Sequence, residues 1–65
     1  MNKLISTARR YIDDARNAGN AAKAAGDATN ALILLRAAEL TYHPTGYRRD
    51  ELNDLRRIAR AIQQQ

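Results

Sequence analysis

An all-α fold follows from three observations. Thirteen of the 65 residues are alanine, and Leu, Arg and Gln make up much of the remainder. These types lose least on entering a helix. Val, Phe and Trp, which suit a pleated strand, do not occur. Apolar residues recur at steps of three, four and seven rather than two. The expectation is a small helical hairpin or three-helix arrangement, with helices at about 3–25, 27–42 and 46–63 in one domain spanning 1–65.

In the first segment, Leu4, Ile5, Ala8, Ile12, Ala15, Gly19, Ala22 and Gly26 trace one helical face, flanked by Arg9, Arg16 and Lys23. Gly26-Asp27 is the favoured break. Glycine suits the left-handed residue after a helix end, and aspartate is a strong N-cap for the next helix. The seven-residue register Ile5, Ile12, Gly19, Gly26, Ile33, Leu40 runs on across this pair, so a single helix from 3 to 42 stays open. In the second segment, Leu32, Ile33, Leu34 and Leu35 are apolar nearly all the way round. One partner helix cannot cover such a turn, which predicts core or an oligomer contact.

His43-Pro44-Thr45-Gly46 reads as a tight loop, because Pro44 cannot continue a helix. In the third segment, Leu52, Leu55, Ile58, Ala59 and Ile62 form an apolar seam. At 100° per residue, Arg49, Arg56 and Arg60 share one flank of this helix, and Asp50 and Asp54 the other.

The composition excludes several classes. There is no cysteine, hence no disulfide or thiolate metal site, and a single histidine precludes a multi-histidine site. No apolar run approaches the roughly 18 residues a membrane span needs. The start, Met1-Asn2-Lys3-Leu4, lacks a signal peptide's apolar stretch, which sets a cytoplasmic expectation. The glycines are isolated, so no phosphate-binding loop is present, and neither cofactor nor metal is expected. Ser6 has no base nearby in sequence. His43 is better placed to cap the helix before it than to serve as an acid or base. The chain reads as a non-enzyme.

Net charge is +4, with nine Arg and two Lys against seven acids. The surplus sits at the two ends of the chain, and the middle is neutral. Arginine offers a planar fork of donors suited to phosphate or carboxylate. An anionic ligand or acidic partner is therefore expected at Tyr42, His43, Tyr47, Arg48, Arg49, Arg56, Arg57 and Arg60: guanidinium groups to grip charge, and aromatic rings at the turn to stack a base. The shallow face of Ala15, Gly19, Ala22 and Gly26 lets another backbone come close and is expected to meet a partner helix. Only twelve residues are Leu or Ile. A chain this short buries little, so self-association as a homodimer or higher oligomer is expected as well.

Residues 12–44 resemble a tetratricopeptide repeat, a helix-turn-helix unit of about 34 residues. The resemblance rests on Gly19-Asn20-Ala21, Lys23, Gly26-Asp27, Ala31, Leu35, Ala38 and Pro44. Ala15 and Ala22 stand where that family carries bulky aromatics. The resemblance implies a hairpin turning at Gly26-Asp27, a scaffold that binds peptides or proteins, and self-association, since a lone repeat cannot cover its own face. More distantly, Tyr42-His43-Pro44 with Leu55-Arg56, Ala59-Arg60 and Ile62 is similar to part of the phage proteins that sequester cyclic nucleotide signals of bacterial immunity. A second part of those proteins is similar to Ala31-Leu32, Leu35-Arg36 and Ala38, and the two parts occur here in reversed order. The leading expectation is a small helical protein that docks on a macromolecule, such as a phage or mobile-element inhibitor of a host protein. The alternative is a binder of anionic ligands: a cyclic-nucleotide sponge or a small RNA- or DNA-binding protein.

Overall fold

The computed structural model describes residues 3–65 as three helices, α1 (Lys3–Arg16), α2 (Ala21–Tyr42) and α3 (Tyr47–Gln63). The all-α, three-segment architecture is as expected. The first connection is not where the sequence placed it: the chain turns at residues 17–20, and Gly26 and Asp27 lie inside α2.

Hydrogen bonding accounts for this shift. The Asn17 side chain and backbone amide both donate to the Asp13 carbonyl, at 3.0 and 3.1 Å, and close α1. Asn20 is extended (φ −148°, ψ 158°), and its side-chain oxygen accepts from the Lys23 amide at 2.7 Å. This is an N-cap as good as any aspartate, set seven residues earlier. Alanines at 21, 22, 24, 25 and 28 then carry the helix through Gly26, whose cost of about 1 kcal/mol relative to alanine they offset. Asp27 serves as the acceptor for Lys23 Nζ at 3.0 Å rather than as a cap.

The second connection is the tight loop the sequence indicated. His43 adopts the left-handed conformation (φ 47°, ψ 57°), and its amide donates to the Glu39 carbonyl at 3.1 Å, ending α2. Pro44 is buried beneath the loop. Gly46 N-caps α3 at φ 61°, ψ −139°, a combination almost confined to glycine.

Short turns make α2 antiparallel to both neighbours, which run side by side. The core takes one stripe from each helix: Ile5, Ala8, Ile12 and Ala15; Ala28, Ala31, Leu35 and Ala38; Leu52, Leu55, Ala59 and Ile62. Half of these are alanine, so the helices approach closely and each buried side chain contributes little area. The apolar turn of α2 divides between environments. Leu35 is fully buried, Leu32 and Leu34 are half-buried, and Ile33 is 61% exposed.

Candidate interaction surface

The arginines of α3 do not behave as one group. Arg56 is half-buried, and its Nη2 donates to Glu39 Oε1 of α2 at 3.1 Å. Gln63 Nε2 likewise donates to Thr29 Oγ1 at 2.8 Å. These two contacts fix which edge of α3 runs along α2: the edge that also carries Arg49 and Arg60. Both of those are exposed, as is Arg36 on the adjacent side of α2. None of the three has an ion pair among the described residues. Arg57 is held by Asp54 at 2.7 Å on the outer side of α3. Arg48 lies over the Tyr47 ring, 5.5 Å from its centroid, a cation–π arrangement.

Tyr47 does not join the arginine edge. It lies roughly half a turn around α3 from Arg56 and lines a cleft of about 490 Å³ between α1 and α3. Arg9, Asp13, Arg16, Asp50, Glu51 and Asp54 share that cleft, and Arg9 pairs there with Glu51. Tyr42 and His43 stand exposed at the far end of α2; the His43 side chain has no hydrogen-bond partner among the described residues. The expected combination of stacked ring and phosphate grip is therefore split between two flanks of α3, one basic and one largely acidic.

The small residues expected to form one partner face are also separated, because the turn at 17–20 divides them. Ala15 is buried in the core at 4% exposure, and Gly19 lies in the turn. Both line a shallow hollow of about 610 Å³ at the end of the bundle, beside Ala24, Ile58 and Ile62. Ala22 and Gly26 instead face outward from α2. They share that outward stripe with Ile33 and Leu40, which are 61% and 63% exposed, and with the half-buried Ala37. The sequence-based site did not include Arg36, Ile33 or Leu40. The signal for the last two was present in the seven-residue register that joins Gly26, Ile33 and Leu40.

Among the described residues, no group of three or more His, Cys, Asp or Glu is placed to hold a metal ion. Among the same residues, no helix is long and apolar enough to cross a membrane. Comparison of the chain with protein-family models, curated proteins and solved structures returned no match.

Proposed function

We propose that this chain is a non-enzymatic binding protein that docks on a partner protein through the α2–α3 face. The observation that carries this reading is the juxtaposition of Arg36, Arg49 and Arg60, all exposed and without ion pairs, with the exposed Ile33 and Leu40. A guanidinium edge beside an apolar strip suits an acidic, amphipathic protein surface better than a bare phosphate chain, which offers little to an isoleucine or a leucine. The hairpin at Gly26-Asp27 that the tetratricopeptide resemblance implied does not form, so the reading rests on the exposed face alone; the chain's action is to occupy a partner's surface, as a phage or mobile-element inhibitor of a host protein would inside the cytoplasm. Homo-oligomers are part of this reading.

The second reading, a nucleotide or nucleic-acid binder, is supported by the arginine edge of α3, where Arg49, Arg56 and Arg60 follow one another about 10 and 6 Å apart, although Arg56 is already held by Glu39. Tyr47, the ring on α3 itself, does not serve it, because it faces the opposite cleft.

Capture from cell lysate with the immobilised protein separates the two, provided that proteins, nucleic acids and released small molecules are each quantified. A discrete acidic protein retained by the natural chain and lost with the Arg49→Ala, Arg60→Ala double variant supports docking on a protein. Recovery of nucleic acid or nucleotides alone, with affinity falling steeply with salt, would transfer the function to the second reading. Arg56 is left intact in this test because its bond to Glu39 joins α2 to α3.

A further inference from the structure

The outward stripe of α2 is largely exposed, and we propose that its occupant is a second copy of this chain, paired α2 to α2 in antiparallel fashion. The proposal does not depend on the partner inferred above, but it competes with that reading for Ile33 and Leu40: once chains pair, a partner meets the arginine edge alone.

Three observations converge on this. The first is charge. α1 carries Lys3, Arg9, Arg10 and Arg16 against Asp13 and Asp14, and α3 carries five arginines against Asp50, Glu51 and Asp54, so each has a surplus of two positive charges. α2 balances Lys23 and Arg36 with Asp27 and Glu39. It is the one helix along which two copies of a +4 chain can meet without opposing two surpluses of like charge.

The second is the glycine. Gly26 sits in the interior of a helix, where it is unfavourable relative to alanine. A Cβ built on it would meet nothing within 4 Å, so packing inside the monomer gives no reason for its absence. Close approach of another helix does. A glycine facing a small residue lets the two backbones approach most closely at that point.

The third is the distribution of size along the helix. Small residues, Ala22 and Gly26, occupy the N-terminal half of the stripe, and large ones, Ile33 and Leu40, the C-terminal half. Parallel pairing would set large against large and leave a gap at Gly26. Antiparallel pairing sets Leu40 of one copy over Ala22 of the other and Ala37 over Gly26, with Ile33 beside Asn30. Such an isologous contact is self-complementary, as a two-fold dimer requires.

The area suits a pair that forms at high concentration. A 22-residue helix is about 33 Å long, and the molecule measures 34 × 17 × 15 Å, so α2 spans its full length. A strip of that length and one helix diameter wide covers roughly 400 Å² per copy, on the order of 800 Å² in total, the size of a weak, reversible pair.

Sedimentation equilibrium of the full chain tests this, with helicity followed by circular dichroism. The natural chain should sediment at twice its 7.3 kDa mass at about 0.1 mM. Gly26→Gln, which the isolated fold accommodates in open space, should keep or raise helicity while weakening the dimer at least tenfold. Leu40→Glu should give a monomer with unchanged helicity. Since the chain has no cysteine, orientation can be read by cross-linking: Ala22→Cys mixed with Leu40→Cys should form the mixed disulfide in preference to either self-pair. A natural chain that remains monomeric at that loading, which would leave the stripe to some other partner, overturns the proposal. So does a dimer indifferent to Gly26→Gln and Leu40→Glu. Preferential Leu40→Cys self-pairing overturns the antiparallel arrangement.

Discussion

Replacing Asn20 with alanine should cost about 1 kcal/mol, because the Lys23 amide would lose the side-chain oxygen that accepts from it at 2.7 Å. For a domain this small, that corresponds to a fall in melting temperature of roughly 4–8 °C, readable by thermal circular dichroism. The same experiment on Gly46→Ala should show a larger effect, about 1–3 kcal/mol. No neighbour obstructs a Cβ there, yet the backbone at φ 61°, ψ −139° is one that alanine scarcely adopts. These two residues illustrate how far single positions were legible. Gly46 was readable, since a glycine two residues after the only proline announces a turn. Asn20 was not, because Gly19-Asn20 and Gly26-Asp27 carry the same signal, a glycine followed by a good N-cap residue. Nothing local distinguishes them.

The distinction arises at the level of the helix. α2 has two stripes with helical spacing: Ala28, Ala31, Leu35 and Ala38 face the core, while Ala22, Gly26, Ile33 and Leu40 face outward. The outward stripe continues the register of Ile5 and Ile12, so periodicity alone joined α1 to the wrong face of α2. α3 has a single apolar seam and one flanking proline-glycine loop, and its limits and buried face were legible almost residue by residue. Paired charges now give the helices separable behaviour. Arg56→Ala removes a partly exposed α2–α3 bridge and should lower stability by up to about 1 kcal/mol. Arg60→Ala, four residues on, removes an exposed side chain with no ion pair and should leave urea denaturation unchanged. The first turns of α2 should also respond to alkali. The Lys23 pKa lies above its usual 10.5, chiefly through the hydrogen bond from its ammonium group to Asp27 and secondarily through the charge attraction between them. A raised lysine pKa means that the contribution is complete below pH 10.5 and disappears as pH climbs through the folded value. Amide exchange around residues 21–27 should therefore quicken above pH 10.5 in the natural chain relative to Lys23→Gln, in which no such titration occurs.

For the molecule as a whole, the arginine edge and the outward stripe of α2 become linked if both proposals hold. The contacts from Arg56 to Glu39 and from Gln63 to Thr29 place α3 along one side of α2. A two-fold axis perpendicular to an antiparallel α2 pair keeps that side facing the same way in both copies. The two edges carrying Arg49 and Arg60 then lie on one face of the dimer, and an elongated acidic partner can engage both. Its second contact forms intramolecularly, at high effective concentration. Two changes should separate the contributions. Gly26→Gln leaves every charge in place, yet by dispersing the dimer it should reduce affinity for the acidic partner at least tenfold in a titration calorimetry measurement. The double variant Arg49→Ala, Arg60→Ala should reduce affinity by a similar or larger factor while the sedimenting mass remains that of a dimer, and it should flatten the dependence of binding on salt, because fewer charges meet the partner. If Gly26→Gln abolishes the dimer but leaves affinity and salt dependence untouched, each protomer binds alone, and the two surfaces act independently.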